Sequence, residues 1–145
     1  MRFWDSSAIV PLLCRENESA RCRAWLREDS AVLVWALAAT EVVSALARKR
    51  RDGVLSAARF GTAKRRLAAL EAAWNEVAAW DSVRARARRL LEVHALSAAD
   101  ALHLGAALVA VEERPAGVTF VSFDLALGDA AEREGFTWLG RFDRV

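Results

Sequence analysis

The chain has 145 residues, 54% hydrophobic and 28% charged, which excludes intrinsic disorder and suits one domain over 1–145. Its 21 basic and 19 acidic side chains leave a formal net charge of +2, too mild to announce nucleic-acid binding alone. No apolar run reaches the ~18 residues of a membrane span and Asp5 precedes any apolar stretch, so a cytoplasmic chain without a signal peptide is expected.

In chain order, the pattern predicts a strand over 2–5 that turns into a helix at Ser6 or Ser7, with Pro11 inside that helix. Residues 18–27 have helical spacing through Ala20, Ala24 and Trp25, and 31–34 read as a second apolar strand. A helix over 37–51 stops near Gly53, and another covers 56–75 with Ala63, Leu67, Leu70 and Trp74 along one face. A third strand is placed at 77–80, followed by helices over 82–94 and 97–113. Residues 118–123 form the clearest strand, then a helix over 125–134 and a last strand over 136–139. Cys14 and Cys22 form no CxxC pair and read as reduced, small hydrophobic residues. Strands alternating with helices argue for an α/β fold, a central parallel sheet with helices on both faces. Such sheets carry their function at the carboxyl ends of the strands.

Four acids stand out against that frame. Asp5 and Asp124 sit where an apolar strand stops and a helix begins. Glu41 and Asp100 lie early in helices, on faces that should pack inward, with no cation one turn away. Each has a structural reading of its own. Asp5 and Asp124 fit N-caps, Ser97-x-x-Asp100 fits a loose capping box, and Glu41 fits a first-turn acid. In a doubly wound domain all four would meet at one sheet edge, and hard oxygen ligands suit Mg²⁺ or Mn²⁺.

These residues resemble the motifs of the PIN domain, most closely the VapC-type ribonuclease toxins of bacterial toxin–antitoxin pairs. The matching stretches are Asp5-Ser6-Ser7-Ala8-Ile9-Val10, Thr40-Glu41, Ser97-Ala98-Ala99-Asp100-Ala101-Leu102-His103 and Phe120-Val121-Ser122-Phe123-Asp124. The resemblance implies a Rossmann-like sheet with its N-terminal strand central. It implies an Mg²⁺- or Mn²⁺-dependent endoribonuclease with Asp5, Glu41, Asp100 and Asp124 as its acidic quartet. It further implies that Ser6 orders the site beside Asp5 and that Ser122 orients Asp124. The partners it implies are an RNA substrate, a small antitoxin protein and a second copy in a homodimer.

Other residues read more plainly. His103 is expected as a partly buried histidine hydrogen-bonded locally, His94 as a helix C-terminal residue, and Asp129 as a solvated helix acid. The runs Arg48-Lys49-Arg50-Arg51 and Arg84-x-Arg86-x-Arg88-Arg89 are solvated helix faces or guides for RNA phosphates. Trp25 belongs to the core or to a groove for a partner helix. The alternative functions are a PIN nuclease of RNA processing and a non-catalytic PIN-like binding module. A phosphoacceptor receiver would need a lysine after a late strand, and neither Lys49 nor Lys64 lies there.

Overall fold

The computed structural model describes residues 1–141; the last four residues of the expected domain lie outside the described ones. Five strands form one parallel sheet in the order β3-β2-β1-β4-β5, flanked by seven helices. They are β1 (Arg2–Trp4), β2 (Val32–Trp35), β3 (Asn75–Val77), β4 (Thr119–Val121) and β5 (Thr137–Leu139). The N-terminal strand is central, between β2 and β4.

The pleat sorts the core into two layers. In β1, Trp4 points to one face and Phe3 to the other; β4 repeats this with Val121 and Phe120. The first face is covered by α1 (Ser6–Leu13), α2 (Ser19–Glu28), α3 (Ala38–Arg51) and α4 (Ala57–Ala73). The second is covered by α5 (Trp80–Val93), α6 (Ala98–Ala110) and α7 (Leu125–Glu134). The chain steps from β1 to β3 in one direction with helices on one face. It then crosses to β4 and β5 with helices on the other, as right-handed crossovers require. The reversal falls between β1 and β4, the point at whose carboxyl ends such sheets carry their sites.

Several boundaries shift. The third strand lies at Asn75–Val77 instead of 77–80, because its ladder to β2 pairs Leu33 with Asn75 and Trp35 with Val77. Trp80 starts α5 and packs edge-on against Trp35, ring centroids 4.9 Å apart. Pro11 stands in α1 beyond its first turn, where it cannot donate a helical hydrogen bond, and α1 ends two residues later. Helices α5 and α6 approach closely at Gly105, where a Cβ would meet the backbone of Val83 and Ala87 at 3.2 Å. Gly128 on α7 lies flat on the Trp138 ring, which leaves no room for a Cβ. That indole donates from Nε1 to the Ser122 carbonyl at 2.9 Å, tying β5 to the loop after β4. Cys14 and Cys22 are free and buried, as expected, and burial pushes the Cys22 thiol up to about 12. No single helix among the described residues is long and apolar enough to cross a membrane.

Candidate active site

The ladder between β1 and β4 pairs Trp4 with Val121, so both strands end at one edge. Asp5 leaves the first and Ser122-Phe123-Asp124 leave the second. Asp5 is buried, 2% exposed, and donates its backbone N–H to the Val121 carbonyl at 3.0 Å. Its carboxylate caps α1 by accepting from the Ser7 N–H, and its other oxygen accepts from the Ser122 hydroxyl. Burial pushes the Asp5 carboxyl above its usual value. The nearby His103 and the two serine contacts oppose that rise without cancelling it.

Asp124 caps α7, its carboxylate accepting from the Leu127 N–H at 2.9 Å. Asp100 stands in the first turn of α6, and its own N–H is capped by the Ser97 hydroxyl at 3.2 Å. The Asp100 carboxyl is raised by burial first, then by Asp124 and by Asp5. Glu41 stands in the first turn of α3. Its Oε2 accepts from the Ser6 hydroxyl at 3.0 Å and meets His103 Nε2 at 2.6 Å. Burial raises the Glu41 carboxyl, but these two contacts outweigh it and the net shift is downward.

Asp5, Asp100 and Asp124 thus lie within reach of one another's charge, Glu41 is linked to them through His103, and the capping roles of Asp5 and Asp124 coexist with that grouping. The two serines take specific partners. Ser6, beside Asp5, donates to Glu41, because α1 turns its first residue toward α3. The Ser122 hydroxyl donates to Asp5 rather than to the Asp124 carboxylate; Asp124 reaches it only through its backbone N–H, at 3.1 Å.

His103 departs further from expectation. It is 1% exposed and bonds across the fold to Glu41, not locally. Burial works against charge on the ring, but the Glu41 bond and the fields of Asp5, Glu41 and Asp100 raise its pKa. Its Nδ1 has no hydrogen-bond partner. Ser7 was missed: its Oγ accepts the Phe123 N–H at 2.9 Å, pinning α1 to the loop that carries Asp124. The second hydroxyl of Asp5-Ser6-Ser7 is the sequence signal that pointed to it.

In donor type alone, the set suits a hard divalent cation. All four candidate ligands are carboxylates, and the mutual repulsion that raises Asp100 is what a cation would relieve. Glu41 Oε2 is saturated by two donors, whereas its Oε1 makes no hydrogen bond among the described residues. Among the described residues no group of three or more Asp, Glu, His or Cys side chains is arranged to hold a metal ion. Mg²⁺ commonly rests on one or two carboxylates and completes its shell with water and substrate phosphate.

Around the site, Trp25 stacks on Phe123 at 5.9 Å, with the Arg21 guanidinium 5.1 Å from the Trp25 centroid. Farther off, His94 ends α5 as expected and bonds Glu134 at 2.7 Å, and Asp129 pairs with Arg133 at 3.0 Å. Within the α5 basic run, Arg84 pairs with Asp81, and Arg86 with Glu113 and Glu134.

A sequence model of the PIN domain matches residues 2–133. Ribonuclease VapC45 and Ribonuclease VapC49, from two strains of Mycobacterium tuberculosis (CDC 1551 / Oshkosh and ATCC 25618 / H37Rv), are each 36% identical over 106 residues. Each match covers 73% of this chain and 74% of the relative. FitAcB from Neisseria gonorrhoeae superposes with a TM-score of 0.66 at 17% identity, covering 96% of both chains. Mycobacterium tuberculosis VapC20, described as a Sarcin-Ricin loop cleaving toxin, gives 0.61 at 18% identity, covering 97% of this chain and 98% of its own. At such identities the two structures speak for the fold alone.

Proposed function

The chain belongs to the PIN domain family, and from that premise we propose that it is an Mg²⁺- or Mn²⁺-dependent endoribonuclease, the toxin of a toxin–antitoxin pair. The observation that carries this reading is the grouping of Asp5, Asp100 and Asp124, coupled through Asp100, with Glu41 joined to them by His103. The two VapC relatives, both named ribonucleases, support RNA as the substrate. The family resemblance supports a small antitoxin as partner and a homodimer as the assembly.

Asp5, Asp100, Asp124 and Glu41, the last through Oε1, would hold the ion. When bound, it offsets charge on the attacked phosphate and acidifies a water. The protein's own residues position. Ser7 and Ser122 fix Asp5, Ser6 and His103 fix Glu41, and the first turn of α7 fixes Asp124. Asp100, with its raised carboxyl, is suited to take the proton of the attacking water. The new P–O bond then forms as the bond to the leaving ribose oxygen breaks, and no side-chain nucleophile is required.

The test uses the purified chain, free of antitoxin, and a structured RNA. Cleavage is expected with Mg²⁺ or Mn²⁺ and is expected to stop in EDTA; cleavage that survives EDTA overturns the metal mechanism. Expression of the chain alone is expected to arrest growth, and Asp5→Asn to relieve the arrest. Equal growth of both strains at equal protein levels would favour an RNA-processing nuclease or a non-catalytic module.

A further inference from the structure

A second candidate site lies away from the acids. A cavity of about 300 Å³ opens where the C-terminal ends of α1 and α3 meet the first half of α4. Asp5 and Glu41 stand at the opposite ends of those two helices. From Asp5 to Leu13, and from Glu41 to Lys49, the chain advances eight residues, about 12 Å at 1.5 Å per residue. The cavity is lined by Arg15, Lys49, Arg59 and Arg66, and none of its lining residues is acidic.

Helix C-termini attract cations, and that accounts for part of this charge. Arg66 donates from Nη1 to the Leu13 carbonyl at 3.2 Å, at the end of α1. Lys49, in the last turn of α3, is neutralised by Glu16 at 2.5 Å. Arg15 and Arg59 are not explained this way. Neither guanidinium has a carboxylate or carbonyl partner among the described residues, yet both face the same cavity. With Lys49 balanced by Glu16, three positive charges remain around it. Cys14 adds no negative charge, since burial holds its thiol protonated. The buried Leu13 and Leu55 side chains supply an apolar wall, which strengthens charge interactions at the mouth. Some basic groups elsewhere are balanced by acids. Arg84 and Arg86 on α5 are paired with acids, and the cavity beside His94 carries Asp129 as well as Arg133.

We propose that this cavity is a binding site for a phosphate group, carried either by an RNA strand or by a free phosphorylated small molecule. Paired guanidinium forks match phosphate oxygens in geometry and charge. The volume suits a phosphate with a sugar-sized group attached. Binding here does not depend on the acidic site or on cleavage.

The experiment compares the full chain with Arg15→Gln/Arg59→Gln, both in EDTA so that no cation bridges phosphate to the acids. Inorganic phosphate and adenosine 5′-monophosphate are titrated by calorimetry, and a labelled single-stranded RNA by anisotropy over a salt series. The full chain is expected to bind at least one probe. The double variant, with an unchanged melting temperature, should bind that probe at least tenfold more weakly. If RNA is the ligand, the slope of log K against log[salt] should fall by about 1.4, for two phosphate contacts at ~0.7 each. Binding of RNA alone assigns the site to a strand; binding of phosphate and the nucleotide assigns it to a free molecule. The proposal is overturned if no probe binds, or if the folded double variant binds every probe as the parent does. Should the double variant not fold, Arg59→Gln alone carries the same comparison. A chain that binds RNA here in EDTA but cuts none once Mg²⁺ or Mn²⁺ is supplied would sink the nuclease reading and leave this one standing.

Discussion

The Nε2 atom of His103 lies 2.6 Å from Oε2 of Glu41, joining α6 to α3 across 62 residues of sequence. The ring is 1% exposed, and the Ser6 hydroxyl holds the same oxygen. Leucine fills much of the space of an imidazole but cannot donate. His103→Leu should therefore leave Glu41 half-buried and short of a partner, at a cost of about 1–3 kcal/mol. Urea unfolding of the two proteins in EDTA at neutral pH measures this; equal stability would mean the pair contributes nothing.

Around the acidic site, four shifted groups set the pH dependence of the metal-free protein. His103 is raised above 6.5, so its contribution is complete below 6.5 and is lost as pH climbs through the raised value. Glu41 is lowered below 4.5, so its contribution is present above 4.5 and is lost as pH falls through the lowered value. Asp5 and Asp100 are raised above 3.8, so each loses stability as pH climbs from 3.8 through its raised value. Three of the four slopes run the same way. Stability in EDTA should decline from mildly acidic toward alkaline pH, and His103→Leu should flatten the part above 6.5. A wild type that gains stability over that range would contradict the assignment.

Replacing Asp100 with Asn removes one of three mutually repelling charges while leaving the Ser97 cap on its backbone N–H intact. In EDTA the variant should melt above the wild type, yet cleave RNA well over tenfold more slowly. With Mn²⁺ at ~100 times its dissociation constant the wild type should gain about 2.7 kcal/mol, provided the ion ignores the unfolded chain. Thermal melts of both proteins with EDTA and with Mn²⁺ decide it. A wild type that melts identically in both buffers would argue against a cation site.

Ser122 and Ser6 should separate on substitution. Ser122 is fully buried, and its hydroxyl joins the Asp5 carboxylate to the Asp124 N–H. Ser122→Ala orphans both and should cost about 1–3 kcal/mol along with activity. Ser6 is only half-buried, and Glu41 keeps His103 when its hydroxyl is gone. Ser6→Ala should cost less than Ser122→Ala in stability. Denaturant midpoints of the two variants check the order.

Much of this was legible in the residues. An apolar strand that ends abruptly in an acid, at Asp5 and again at Asp124, marks a carboxyl edge whatever the topology. The third strand was not legible: Asn75 and Glu76 are exposed on an edge strand and only Val77 is buried, so no alternation shows. The partner of His103 was hidden as well. Helical spacing reports neighbours three and four residues away, whereas Glu41 comes alongside only when α3 and α6 meet. The exact partners of the serines were not legible, because which carboxylate a hydroxyl meets depends on the turn of α1, not on adjacency in sequence.

Strand β1 is made first, yet its bond from Asp5 to Ser122 spans 117 residues. On a ribosome adding roughly 5–20 residues each second, that gap lasts about 6–23 s. Until β4 and α7 emerge, Asp5 lacks Ser122 and Asp100 lacks Asp124. The cutting edge proposed here is therefore missing from every unfinished chain. On the proposed reading, a nascent copy cannot cut the message that encodes it.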